Sequence, residues 1–270
     1  KIVLMEREAP VNPNREPEKF MDWRPYSFHQ YKLKNAAAHG AKGMLYNYHI
    51  TNPNNAYIED FIYSHVGETV VGDIFAGTGK NHADVVKTIR DTLKPQSFST
   101  GKKFSIKNTT EHHPEGIGYN VLAAIPGADI ELSDEVIMIG GHLDHLGRCY
   151  EIMPGANDNA SAVAVMMGLA EALMKSPVRP KRTILFNCFG AEEQGVVGSK
   201  YYVDNPVFPL ENTKCLINLD GVGAGDKLSV LAAENYPDIW QFLKSANDTY
   251  IHRIMIPRYF ANIARPRLDA

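Results

Sequence analysis

Val136-Ile137-Met138-Ile139-Gly140-Gly141-His142-Leu143-Asp144-His145 is the stretch whose reading decides the fold. Its first five residues are almost continuously apolar, and so is Thr183–Cys188. A strand needs apolar residues on both sides only when both of its faces are covered, which is the situation of a central parallel strand. Between these two runs, Ser161 to Lys175 is rich in Ala, Met, Leu and Val and reads as a helix, followed closely by Pro177 and Pro180. Working outward, Lys103–Lys107, Asn120–Ile125 and Lys214–Leu219 read as further strands. Buried strands alternating with helices predict an α/β/α sandwich around a mainly parallel central sheet.

The chain before residue 98 has a different texture, with strands and helices among polar, proline-rich loops such as Val11–Pro17. Ser27 to Ala38 has helical composition, with Gly40 where a C-cap is expected. Gly43–Tyr48 and Thr69–Val71 read as strands, and Asn81–Leu93 as a helix with Asn81 as N-cap and Pro95 as the stop. The expected organisation is a smaller α+β domain over residues 1–97 and a larger one over 98–270. Lys1 is followed at once by Ile2-Val3-Leu4-Met5, which reads as a buried strand, so the chain is expected to have lost a preceding segment.

With 44% hydrophobic and 22% charged residues, the 270-residue chain has the make-up of a globular protein. Its 28 basic and 31 acidic residues leave a formal charge of −3 and no basic block, which argues against a nucleic-acid partner. No apolar run reaches the roughly 18 residues that a membrane span needs. Cys149, Cys188 and Cys215 are too few and too scattered for a disulfide framework or a thiolate zinc site.

The chemistry-bearing residues all fall at one kind of place. His142 ends the first apolar run, Glu192 and Glu193 follow the second, and Asp220 follows Lys214–Leu219. Asp158, after the turn-forming Pro154-Gly155-Ala156-Asn157, opens the helix. Sites in open α/β sheets form outside the carboxyl ends of the strands, so these residues are able to converge. Each has a plainer use when taken alone. His142 reads as a metal ligand, or as a strand-end histidine bonded to backbone. Asp158 reads as a carboxylate bridging two cations, or as an N-cap. Glu192-Glu193 reads as a ligand beside a general base, or as a solvated pair in a loop that Gly190 and Gly195 let turn. Asp220 reads as a ligand, a loop cap or an ion-pair partner. The ensemble decides between these uses. Asp144, Asp158, Glu192, Glu193 and Asp220 converging on one cleft would repel strongly without cations, and unpaired buried carboxylates cost several kcal/mol each. Two divalent ions about 3.5–4 Å apart resolve the repulsion and make a hydrolytic centre. Nitrogen and carboxylate donors without thiolates suit zinc.

The strings Gly-Gly-His142-Leu-Asp144-His, Gly-Ala-Asn-Asp158-Asn-Ala-Ser, Gly-Ala-Glu192-Glu193-Gln-Gly and Asn-Leu-Asp220, in this order, resemble the co-catalytic zinc aminopeptidases and carboxypeptidases of metallopeptidase family twenty-eight. The resemblance covers residues from about 118 to 222, and Gly198-Ser199-Lys200-Tyr201-Tyr202 adds to it. It implies that His142 and Asp220 bind a first zinc, that Asp158 bridges, that Glu193 binds a second zinc, that Glu192 is the general base and that Asp144 orients His142. Residues 1–97 look like the protease-associated domain that many members carry, on Lys1-Ile2-Val3-Leu4 and Asn35–Gly43. The resemblance also implies a peptide or protein substrate and a secreted or periplasmic location.

One implied ligand is missing. The second zinc takes a histidine from a later segment, and His252, the sole histidine after Asp220, stands in a different context. The reading that follows is a zinc exopeptidase, with aminopeptidase favoured over carboxypeptidase. Its alternatives are a catalytically incomplete fragment or binding domain and, ranked lower, a glutaminyl-cyclase-like acyltransferase.

Overall fold

The computed structural model describes residues 1–12, 15–48, 57–109, 111–148, 152–258 and 269. Pro13 and Asn14 of the expected first loop, Cys149, and the terminal residues 265–268 and 270 lie outside them. The chain forms two compact units, Lys1–Glu115 and Gly116–Ala270, so residues 98–115, expected with the second, are counted with the first.

In the first unit, β1 (Ile2–Glu6), β2 (Gly43–Asn47) and β3 (Ile62–Val66) make a parallel sheet in that order. Helices α1 (Pro17–Ser27) and α2 (His29–Ala38) link β1 to β2, while α3 (Glu68–Phe75) and α4 (His82–Thr92) follow β3. Leu33 and Ala36 of α2 pack on Met44 and Tyr46 of β2. Asn81 caps α4 by accepting a hydrogen bond from the Asp84 N–H at 3.3 Å. Thr69–Val71, read as a strand from its β-branched residues, lies in α3, where Val71 and Ile74 face inward at helical spacing. The expected strand Lys103–Lys107 takes no regular secondary structure and joins no sheet, although its alternation resembles a strand's. Ile2–Met5 is a strand as expected, yet only partly buried, because it sits at the edge of its sheet.

In the second unit, β4 (Val121–Ile125), β5 (Val136–His142), β8 (Thr183–Phe189) and β9 (Thr213–Asn218) form a four-stranded sheet in the order β4-β8-β5-β9. Strands β5, β8 and β9 run parallel, and β4 is antiparallel on the outer edge of β8. The short pair β6 (Gly147–Arg148) and β7 (Ile152–Met153) precedes helix α5 (Ala160–Lys175), and α6 (Val197–Asp204) follows β8. The pleat sends alternate residues to opposite layers. Val136, Met138, Leu185 and Phe189 meet Tyr202 of α6 on one face. Ile139 and Phe186 meet Met166 of α5 on the other, with Val163 and Leu173 around them. Burying each of these large side chains stabilises by about 1.5–3 kcal/mol. The result is a helix layer on each side of a mainly parallel sheet.

After β5 the chain passes to β8 on one side of it and then to β9 on the other. That reversal opens a crevice at the carboxyl end of β5. Beyond β9 come a parallel pair, β10 (Lys227–Val230) with β11 (Ile254–Pro257), and helix α7 (Pro237–Ala246).

Candidate metal centre

His142 is the last residue of β5 and is only 2% exposed. The glycines before it make the depth possible: a Cβ on Gly141 would stand 3.0 Å from both Ala162 Cβ and the Leu219 carbonyl oxygen. Its Nδ1 lies 2.9 Å from the Asp144 backbone carbonyl, which takes the ring proton and leaves Nε2 as the free donor atom. Nε2 points at Asp158 Oδ1, 3.0 Å away, and Asp220 Oδ1, 3.8 Å away.

Asp144, expected to orient His142, reaches it with its backbone carbonyl; its carboxylate is 3.8 Å from Nδ1. That carboxylate accepts hydrogen bonds from the backbone N–H groups of Glu192 at 2.9 Å and Glu193 at 3.2 Å. One residue thus fixes the imidazole with its main chain and the glutamate loop with its side chain.

The loop after β8 turns at once, and the Gly195 and Val196 N–H groups both bond back to the Glu192 carbonyl. Glu193 then projects inward, its side chain 14% exposed, with Oε1 2.8 Å from His145 Nδ1. Asp158 precedes the helix by one residue more than an N-cap, since Asn159 holds the cap position. Asp158 Oδ1 faces both imidazoles, at 3.0 Å from His142 and 3.8 Å from His145. Its neighbours tie down the loop that bears Asp220. Asn159 Nδ2 donates to the Leu219 carbonyl and its Oδ1 accepts from Gly221; Asn157 Oδ1 accepts from Gly223, and Ser161 Oγ from Val222.

Two groups of donor atoms result, His142–Asp158–Asp220 and His145–Asp158–Glu193, each with its three atoms within 4.8 Å of one another. Zinc ligands lie 2.0–2.2 Å from the ion, so neighbouring donors of a tetrahedral site stand about 3.3 Å apart. The separations found here bracket that value. No thiolate joins either group, and one carboxylate is common to both. The donor set therefore fits divalent ions held by nitrogen and oxygen, as zinc is.

The electrostatics agree. Burial drives the Glu192 carboxyl up to about 8 against the pull of His142, with the nearby Asp269, Glu193 and Asp220 adding to the rise. Glu193 is raised too, by burial and then by Asp158. Burial alone would lower His142, but Asp220, Glu192 and the Asp144 carbonyl raise it to about 9. These are the responses of an anionic cluster that binds protons where a cation would serve.

Sequence reasoning assigned no role to three contributors. His145 was visible three residues after His142, but its approach to Glu193 depends on an irregular loop. The Asn157/Asn159/Ser161 clamp reads locally as helix-start chemistry, and its real partners are some 60 residues away. Asp269, buried and raised to about 6, is a lone carboxylate with no motif around it. His252 is exposed at the end of a helical turn beside Asp248 and joins neither group.

A profile of Peptidase family M28 matches residues 120–264. The chain belongs to that family. Among its M28 relatives, the leupeptin-inactivating enzyme 1 of Streptomyces exfoliatus is 36% identical over 108 residues, 40% of this chain and 23% of that protein. Aminopeptidase YwaD of Bacillus subtilis is 29% identical over 226 residues, 80% of this chain and 43% of that one. In fold, the chain is similar over 98% of its length to 55% of a peptidase M28 precursor from Shewanella amazonensis (TM-score 0.60, 19% identity). It is likewise similar, over its whole length, to 56% of a zinc aminopeptidase from Bacillus subtilis (TM-score 0.58, 20% identity). The chain thus spans less than half of the curated relatives named and just over half of these two M28-like structures.

Proposed function

We propose that the second unit is the catalytic unit of a zinc exopeptidase of aminopeptidase type, with the first unit as an accessory, protease-associated-like domain. Two donor groups sharing Asp158, with the Glu192 carboxyl alongside them, support this reading above all. The names of the Bacillus relatives favour aminopeptidase over carboxypeptidase. In this reading His142, Asp158 and Asp220 would hold one zinc, and Asp158 and Glu193 would contribute to holding the other. When bound, the ions lower the pKa of water to around 7 and polarise the scissile carbonyl.

The remaining work belongs to the protein's own groups. Glu192 takes a proton from the attacking water and returns it to the leaving nitrogen, acting first as general base and then as general acid. Asp144 holds the Glu192 and Glu193 backbone in place and fixes the His142 tautomer, so that neither reorganises during the reaction.

The test is hydrolysis of an aminoacyl p-nitroanilide by the zinc-loaded chain and by Glu192→Gln. The variant should lose about 10²–10⁴-fold in kcat while keeping its zinc. Undiminished turnover by the variant removes Glu192 as the base. Cleavage of C-terminally free, N-blocked peptides in place of anilides replaces aminopeptidase by carboxypeptidase.

A further inference from the structure

Strand β1 is the edge of the first unit's sheet and pairs with β2 alone among the described residues. In a parallel pair each strand turns about half of its backbone N–H and C=O groups away from its partner, so an edge strand presents a row of them to whatever lies beyond it. The Lys32 ammonium takes the Glu6 and Glu8 carbonyls at one end of β1, and Ile2–Met5 has no further strand beside it among the described residues. All five residues of β1 line a groove of about 1120 Å³. Val85 and Ile89 of α4 and the irregular stretch 95–102 line the same groove.

The groove offers an incoming chain more than hydrogen bonds. Ile2 and Phe104 on its lining are 37% and 38% exposed, so apolar surface is open there. Its remaining charge is positive. Lys42, Arg90 and Lys102 line it and form no ion pair with a carboxylate among the described residues. Of the two acids on the lining, Glu6 is held by Asn47 and His82, which leaves Glu8. Two copies meeting edge to edge here would bring like charges together, which costs affinity. A partner that carries carboxylates meets no such penalty.

We propose that the first unit binds an extended acidic segment of a partner protein, which adds to the free edge of β1 as a further strand. Main-chain bonds to β1 supply affinity, and the alternating side chains of the segment supply selectivity. Apolar ones meet Ile2 and Phe104, and carboxylates meet Lys42, Arg90 and Lys102. A segment as long as β1 has five residues and spans about 16 Å. The proposal rests on neither the metal centre nor the peptidase reading.

The experiment titrates the 270-residue chain into a short peptide that alternates glutamate and valine, and follows fluorescence anisotropy. Fluorescein blocks the amino end of the peptide and an amide its carboxyl end, so exopeptidase action cannot trim it. At low salt this peptide should bind at least about 10-fold more tightly than its lysine–valine counterpart, and added salt should weaken it. The double variant Arg90→Glu, Lys102→Glu should reverse the order of the two peptides. Hydrogen–deuterium exchange of the β1 amides should slow by at least about 10-fold in the complex, the mark of a paired strand that a purely electrostatic encounter would not leave. Far-UV circular dichroism checks that the variant folds, and the exchange measurement on the wild type needs no variant. Equal binding of the two peptides, no binding of the acidic one, or binding that leaves β1 unprotected overturns the proposal. So does a wild-type chain that dimerises through β1 with peptide absent.

Discussion

Both units place polar side chains at the carboxyl ends of parallel strands, but they neutralise them differently. In the first, Glu6 ends β1 opposite Asn47, which ends β2. Asn47 Nδ2 donates to both Glu6 oxygens, at 3.0 and 3.1 Å, and His82 Nε2 lies 2.7 Å from Oε1. The Lys32 ammonium bonds to the Glu6 and Glu8 carbonyls, and burial lowers it to about 8 against the pull of those two glutamates. Each charge there has an opposite or a donor beside it. In the second unit, Glu192, Glu193, Asp158 and Asp220 face two imidazoles and one another. Strand-end polarity is therefore common to both units, and uncompensated anionic charge is what sets the second apart as a site.

The sharpest way to break this contrast is to remove the carboxylate that both donor groups share. Asp158→Asn should lower affinity for both ions by more than about 100-fold, as titration calorimetry with zinc would show. Loss of one ion alone would mean that the two groups do not share Asp158.

The next effect concerns the metal-free chain. Glu192 is raised from 4.5 to about 8, so its penalty on the folded state is absent below pH 4.5 and complete above about 8. His142 is raised from 6.5 to about 9, so its stabilising contribution is full below 6.5 and lost as the pH passes 9. Both act in the same direction. In chelator, the urea midpoint should fall as the pH rises from 5 to 8, and zinc should restore it at pH 8. Glu192→Gln should flatten the metal-free slope. A midpoint that rises over this range would mean that the charges are not crowded.

Smaller effects should separate placement from ligation. Asn159→Ala leaves the Leu219 carbonyl and the Gly221 N–H without their side-chain partner and should cost about 2 kcal/mol in denaturant unfolding. It should also weaken zinc at the group containing Asp220 more than at the other. Smallest of all, His82→Ala in the first unit should cost about 1 kcal/mol or less and leave zinc affinity unchanged. A change in zinc binding on that substitution would show that the two units are not energetically separate.

The sheet and the carboxylates and histidine gathered at its carboxyl ends are legible because they are written in period and position. Val136–Gly140 and Thr183–Cys188 are apolar on both faces, and the polar residues just past them stand at the strand ends that such runs imply. Thr69–Val71 misled because β-branched residues favour strands, whereas the inward spacing of Val71 and Ile74 belongs to a helix. Helix α1 went unread because Pro17 and Pro25 look like breakers. The first starts the helix and the second falls in its last turn. Lys103–Lys107 alternates correctly but joins no sheet, and pairing is a tertiary property. His145 escaped for a similar reason. Its nearness to Glu193 is set by the conformation of the loop that reaches Gly155, and no periodicity encodes that.

The clamp formed by Asn157, Asn159 and Ser161 has a consequence for how the centre is filled. Amide and hydroxyl groups join the Asp158 turn to the Asp220 turn across some 60 residues of sequence. Ligand spacing is therefore established on folding. Emptying and refilling become encounters between a ready receptacle and a diffusing ion, without the slow rebuilding of chain that zinc-dependent miniature domains undergo. Stopped-flow reconstitution should accordingly be second order in zinc and free of a lag, with Asn159→Ala introducing one.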